Sequence, residues 1–191
     1  MNIDLFNPDR AALLRKWKPV IDKTYRIFTW TTESELAWLA ELASRNNGTY
    51  LEIGSYVGKS ALVQLKASPT LGVVSLDTWD DEGSFEEYQF NLRKQDDAGR
   101  VRAIPGPSHQ GLVKLHTEGK FDYDYAFIDG GHLYDDVSGD ISGVRSLLRP
   151  GAIICGHDYR PGLPEDGVTK AVRELLPNHK NVIDSIWAAQ L

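Results

Sequence analysis

Acids, imidazoles and glycines collect where apolar runs of this chain stop. Tyr50-Leu51-Glu52-Ile53 ends in Gly54-Ser55-Tyr56-Val57-Gly58-Lys59-Ser60. Phe127-Ile128 ends in Asp129-Gly130-Gly131-His132, and Ala152–Cys155 in Gly156-His157-Asp158-Tyr159. Each run reads as a buried strand, and an open α/β sheet offers its binding groups at the carboxyl ends of its strands. Glu52 and Gly54 are therefore expected at one ligand, with Asp129, His132, His157 and Asp158 gathered along the same edge. Neighbouring strands lie about 4.8 Å apart, so Asp129 and Asp158 can converge on one cation. His157 stands beside them as a nitrogen donor. Such an edge, a ligand turn beside acids and imidazoles, is most simply that of an enzyme.

The glycine-rich turn is open to three ligands. A dinucleotide fingerprint needs G-x-G-x-x-G, which Gly54-Ser55-Tyr56-Val57-Gly58 does not supply. A phosphate loop needs four residues between its glycine and Gly-Lys-Ser; here only Ser55, Tyr56 and Val57 intervene, and a shortened loop loses part of its nest of N–H groups. The third ligand carries an ammonium group and a ribose. Glu52 repels phosphate but accepts from an ammonium, and Gly54 lets a carbon chain pass close to the backbone. Asp77 closes the next apolar run, where an acid accepts both ribose hydroxyls. Amino group plus ribose without phosphate describes S-adenosylmethionine.

Alternating patterns must hold these residues in place. Thr32 and Glu35 form a capping-box signature for a helix ending near Asn47-Gly48. The spacing then predicts strands over Thr49–Ile53, Gly72–Leu76, Arg100–Ile104, Tyr125–Ile128 and Ala152–Cys155. Helices are predicted between and after them, at about Lys59–Ala67, Phe85–Gln95, His109–Thr117, Leu133–Leu148 and Val168–Leu176. A final pair, Asn181–Ile183 and Ile186–Gln190, is too closely spaced for a crossover and should form an antiparallel hairpin at one edge. The expected fold is one α/β domain, a Rossmann-like three-layer sandwich around a mostly parallel seven-stranded sheet. Residues 1–29 form a helical arm and 30–191 the core. In the arm, Asn7-Pro8-Asp9 reads as N-cap, first-turn proline and first-turn acid, with Leu13 or Leu14, Trp17 and Val20 on one face. Such an arm can pack on the domain, cap the site, or meet a second copy in a homo-oligomer.

The chain has 191 residues, 41% hydrophobic and 25% charged, with formal net charge -6, which argues against a nucleic-acid partner. Cys155 is the only cysteine, so a reducing compartment is natural. Asp4, Asp9 and Arg10 interrupt any leader-like apolar core, and no apolar run approaches the roughly 20 residues of a membrane span. A cytoplasmic protein is expected. His109, His116 and His179 lack a surrounding motif and read as surface residues, Tyr134-Asp135-Asp136 as a solvated first turn, and Cys155 as inert core.

The segment Leu51–Ser60 resembles the first motif of class I S-adenosylmethionine-dependent methyltransferases. Trp30-Thr31-Thr32-Glu33, Phe127–Tyr134, Gly156-His157-Asp158-Tyr159 and Gly167–Val172 are similar to one branch of them. That branch holds macrocin O-methyltransferase, cephalosporin-hydroxylase-like proteins and metal-dependent sugar O-methyltransferases. The resemblance implies that Glu52, Gly54, Ser55, Asp77 and Asp129 contact the cofactor, and that Thr78, Trp79 and the Gly106-Pro107-Ser108 turn flank its adenine. It implies a divalent cation at Asp129, His157 and Asp158. An acid is more usual where His157 stands, which shifts the expectation from Mg²⁺ toward the nitrogen-tolerant Mn²⁺. Asp129 and His132 would be catalytic, His132 as general base toward a small-molecule or sugar hydroxyl. The competing expectations are a relative that binds the cofactor without transferring methyl, and a phosphate-loop nucleotide-binding module.

Overall fold

A computed structural model describes residues 3–191. In chain order the elements are α1 (Arg10–Ile21), a 3-10 turn (Asp22–Thr24), α2 (Glu33–Ala43), β1 (Thr49–Ile53), α3 (Lys59–Ala67), β2 (Gly72–Asp77), α4 (Ser84–Asp96), β3 (Val101–Pro105), α5 (Ser108–Thr117), β4 (Tyr123–Ile128), α6 (Tyr134–Arg145), β5 (Leu148–Gly156), α7 (Gly167–Leu175), β6 (Lys180–Ile183) and β7 (Ile186–Gln190). The strands form one seven-stranded sheet in the order β3-β2-β1-β4-β5-β7-β6. Strands β3 to β5 run parallel; β7 is antiparallel to β5 and to β6, which gives the expected edge hairpin.

Alternation along the strands makes the three layers. Tyr50, Val73, Tyr125, Phe127 and Cys155 point into a core shared with α1 to α4, where Leu13, Trp38, Leu65 and Leu92 are buried. Their neighbours Leu51, Ile53, Val74, Leu76 and Ile128 point the other way, against Leu112, Ile141 and Val172 of α5 to α7. Both faces of the parallel strands are thus covered, which is why they read as near-continuous apolar runs. From β1 the chain winds toward β2 and β3; from β4 it winds the opposite way. The crevice between the ends of β1 and β4 is the topological switch point, where open α/β sheets bind ligands.

The arm lies against the domain. Trp17 donates its indole N–H to Glu41 at 2.9 Å, Trp38 donates to the Leu5 carbonyl at 2.8 Å, and Lys16 pairs with Glu41 at 2.7 Å. Its apolar face is Ala12, Leu13, Trp17 and Ile21, so Ile21 rather than Val20 completes the stripe. The N-cap is Asp9, whose carboxylate accepts from the Ala11 and Ala12 N–H groups; Asn7 and Pro8 stand outside the helix. The helix starting at Tyr134 also ends earlier than its apolar spacing suggests. Leu147 and Leu148 continue the helical period but are buried by the sheet, and Leu148 opens β5. No helix among the described residues is long and apolar enough to cross a membrane.

Candidate active site

A cavity of about 1090 Å³ opens over the carboxyl ends of β1, β2, β4 and β5. Gly54, Ser55, Asp77, Thr78, Ser108, Asp129, His132, His157 and Asp158 all line it. Glu52 and Trp79, expected there from sequence, do not.

Glu52 is fully buried beneath the turn, accepting from the Ser55 hydroxyl at 2.7 Å and the Ser60 hydroxyl at 2.9 Å. Burial pushes its carboxyl up to about 7 against the pull of those hydrogen bonds. Its acceptors hold the turn from below instead of facing a ligand. Trp79 packs on Phe85 and Tyr88 with ring centroids 4.7 and 4.9 Å away, and donates its indole N–H to the Tyr56 carbonyl at 2.6 Å. It braces the turn from outside the cavity lining.

Gly54 is also explained by the protein itself. Its φ is +82°, and a Cβ there would lie 1.9 Å from the Asp129 carbonyl oxygen. The residue must be glycine so that the ends of β1 and β4 can touch. Asp77 accepts from the Tyr56 N–H at 2.8 Å and the Trp79 N–H at 2.7 Å, one on each carboxylate oxygen. Each oxygen keeps a second acceptor site toward the cavity. One N–H of the turn is therefore already spent on a carboxylate, which further disfavours a phosphate nest.

The other half of the cavity is a cluster of charge. Donor atoms of Asp129, His157 and Asp158 lie within 4.8 Å of one another. His157 Nδ1 is 3.2 Å from Asp158 Oδ2 and 3.5 Å from Asp129 Oδ1, while its Nε2 is 3.1 Å from Glu35 Oε2. Burial opposes a charge on this ring, yet hydrogen bonds to Asp158 and Glu35 and the charge of Asp129 push it up to about 10. The hydrogen bond from His157 draws Asp158 down to about 2, while burial lifts Asp129 to about 7. Asp158 holds its place with a left-handed φ of +61°, a conformation that costs a non-glycine residue and gathers at functional sites.

Three ligand atoms of this kind, two oxygens and one nitrogen on one side of a cavity, fit a divalent cation. One imidazole nitrogen faces the carboxylates and the other is bound by a further carboxylate, as metal-ligating histidines require. His132 reaches the same cluster, with Nε2 2.8 Å from Asp158 Oδ2, and its side chain lines the cavity while 64% exposed.

Several residues at the cavity or behind it carried no readable signal. Glu35 looked like a helix cap only, yet touches His157 across 122 positions of sequence. Asp140, inside α6, is buried at the cavity wall, and burial raises its carboxyl to about 6. His109 lines the cavity too, because α5 starts directly behind the end of β3. Asp136 lines it from the first turn of α6. His116 and His179 lie elsewhere, bonded to Ser146 and Tyr159. Cys155 is buried, and burial raises its thiol well above the ordinary range.

Among solved structures the fold is shared widely. The Podospora anserina methyltransferase PaMTH1, determined with S-adenosylhomocysteine, matches with TM-score 0.70 and 18% identity over 93% of this chain and 91% of that one. The O-methyltransferase TomG from Streptomyces achromogenes, involved in tomaymycin synthesis and determined with S-adenosylmethionine, gives 0.69 and 19% over 94% and 89%. CalS11, a TDP-rhamnose 3'-O-methyltransferase of calicheamicin biosynthesis, gives 0.66 and 14% over 100% and 99%. These likenesses are of fold. No curated protein sequence matches the chain. The profile of the family described as "Methyltransferase domain" matches residues 51–159, from β1 through the Asp158 turn, and the chain belongs to that methyltransferase family.

Proposed function

We propose that this chain is an S-adenosylmethionine-dependent O-methyltransferase, assisted by a divalent cation, acting on a hydroxyl of a small molecule or sugar. One observation carries the reading. A turn suited to a ribose and an Asp-His-Asp cluster suited to a cation line a single cavity at the switch point of a methyltransferase fold. The narrower likeness to the macrocin and metal-dependent sugar branch is supported by the segments Phe127–Tyr134 and Gly156–Tyr159.

Asp77 supplies the ribose acceptors, and the Gly54-Ser55 turn, fixed from below by Glu52, fixes where the cofactor lies. Thr78, Pro107 and Ser108 wall the side where an adenine follows the ribose. S-adenosylmethionine would supply the electrophilic methyl, and Asp129, His157 and Asp158 would hold a divalent cation whose Lewis acidity would favour ionisation of an acceptor hydroxyl. His132 removes the hydroxyl proton. With Nε2 donating to Asp158, its Nδ1 keeps a lone pair for that proton. Orientation of acceptor and methyl in one cavity converts a bimolecular displacement into an effectively unimolecular one.

The test is turnover of S-adenosylmethionine to S-adenosylhomocysteine with phenol and sugar acceptors, before and after exhaustive chelation. Turnover should fall to background on chelation and return with Mn²⁺ or Mg²⁺. Full activity after chelation removes the cation from the reading. Tight ATP binding with no response to S-adenosylhomocysteine overturns it altogether.

A further inference from the structure

Phe28, Trp30 and Tyr56 line the same cavity as the Asp-His-Asp cluster, and none of them has a role in the chemistry above. Their rings form a shelf: centroids are 4.7 Å apart for Phe28 and Trp30, 5.2 Å for Trp30 and Tyr56, and 6.5 Å for Phe28 and Tyr56. Phe28 is 53% exposed and Trp30 70%, so broad apolar faces are left to water at a cavity mouth. Tyr56 fastens the shelf to the glycine turn. Its φ is +45°, its N–H donates to Asp77, and its carbonyl accepts from Trp79. A strained residue held from both sides at a binding cavity points to a positioned ring.

The charges around the shelf narrow what can sit on it. Seven aspartates line the cavity (Asp77, Asp81, Asp129, Asp136, Asp140, Asp158 and Asp166) against one lysine and one arginine, Lys59 and Arg160; His157 is already held among Asp129, Asp158 and Glu35. Arg160 is already shared between Asp158 at 3.7 Å and Asp166 at 3.9 Å. Burial disfavours the charge on Lys59. Phosphate recognition calls for a fork of arginine or lysine donors; here Arg160 is already shared and Lys59 is a single ammonium among seven aspartates.

We propose that the Phe28-Trp30-Tyr56 shelf is the acceptor subsite and selects a ring-bearing acceptor that carries no phosphate. This rests on the proposed methyl transfer and separates the chain from enzymes whose acceptor is a nucleotide sugar or a coenzyme A ester. The test is calorimetry on the whole chain with S-adenosylhomocysteine and Mn²⁺ present. The probes are 3,4-dihydroxybenzyl alcohol, methyl α-rhamnoside and TDP-rhamnose. At least one phosphate-free probe should bind, and the methyl rhamnoside should bind at least as tightly as its TDP counterpart. Trp30→Ala should weaken the phosphate-free probe by about threefold to tenfold, with Trp30→Phe recovering most of it and S-adenosylhomocysteine affinity unmoved. Tighter binding of TDP-rhamnose, no binding of either neutral probe, or an unaltered probe affinity in Trp30→Ala overturns the proposal. A parallel loss of S-adenosylhomocysteine affinity also overturns it, by assigning the shelf to the cofactor. Failure of the wild-type chain to bind S-adenosylhomocysteine at all is a different failure, that of the methyltransferase reading.

A separate observation concerns Glu35. This side chain is 2% exposed, and both of its oxygens are committed. Oε1 accepts from the Ser185 N–H at 2.9 Å and hydroxyl at 2.7 Å; Oε2 accepts from the Thr32 N–H at 2.8 Å and faces His157 Nε2 at 3.1 Å. The carboxylate cannot rotate away. We infer that Glu35 is a positioning residue, holding the His157 ring by Nε2 so that Nδ1 faces Asp129 and Asp158. Carboxylates of this kind tune cation affinity by about 10–100-fold. Glu35→Gln keeps a side chain able to close the capping box. Titration with Mn²⁺ should nevertheless show affinity weakened by about tenfold or more, with S-adenosylhomocysteine affinity unchanged. A purely structural role would lower the melting temperature and leave Mn²⁺ affinity within twofold of wild type, which would overturn the inference. A wild-type chain that binds no Mn²⁺ instead fails the cation reading itself.

Discussion

The two halves of the cavity are built from the same materials and differ in how those materials are used. At the end of β1, the acid Glu52 is sealed under the turn with both oxygens taken by Ser55 and Ser60. At the ends of β4 and β5, Asp129 and Asp158 stand around His157 with acceptor capacity left over. The end of β1 spends its acid on the scaffold; the ends of β4 and β5 keep theirs for a guest. Residue type at a strand end does not decide between these uses. What decides is whether nearby donors of the protein satisfy the carboxylate before a ligand arrives.

The largest expected effect breaks the open half. A positioned general base contributes about 10²–10⁴ in rate, so His132→Ala should cut turnover by that order and leave S-adenosylhomocysteine affinity nearly unchanged. Stopped assays with tritiated cofactor check this. A loss of less than tenfold takes His132 out of the chemistry.

A smaller effect should appear in the cofactor half. Hydrogen bonds to a charged acceptor are worth about 1.5–3 kcal/mol, so Asp77→Ala should weaken S-adenosylhomocysteine by roughly 10–100-fold in calorimetry. Glu52→Gln, by contrast, should change that affinity less than fivefold, because Glu52 does not reach the cavity. An equal loss in both variants would erase the distinction drawn between the two acids.

The smallest effect concerns stability. Burial raises the Glu52 carboxyl from 4.5 to about 7, so the folded chain holds that proton more tightly than the unfolded one. Its contribution is fully present below about pH 4.5 and is lost as pH rises through about 7; the sign is opposite to that of a salt-bridged acid. Urea titrations of wild type and Glu52→Gln should therefore show the wild type losing stability relative to the variant across this window, by at most about 3 kcal/mol. A difference that stays flat with pH would mean that Glu52 is ionised throughout.

Much of this cavity was legible because its signals are local. Strand β1 and helix α3 lie where the apolar run and the glycine turn put them, and the Thr32–Glu35 capping box is present at the start of α2. Asp129, His157 and Asp158 could be brought together from strand ends alone, since adjacent parallel strands fix their neighbours' positions. What stayed hidden depends on contacts distant in sequence. Nothing around Glu35 announces His157, and nothing around Phe28 or Trp30 announces Tyr56. Glu52 and Trp79, expected at the cofactor, lie outside the cavity lining for the complementary reason: their partners Ser60, Phe85 and Tyr88 belong to helices whose approach only the packing determines.

The contact between Gly54 and the Asp129 carbonyl joins the two halves through main chain alone. Donor and acceptor sides of the cavity therefore cannot slide apart as side chains are exchanged around them; the gauge between them is set by two backbones in touch. The parts of the lining outside this contact, residues 28–30 and the two ends of the Arg160–Asp166 loop, are held by side chains instead. Exchange of those side chains leaves the spacing between the β1 and β4 ends as the two backbones set it.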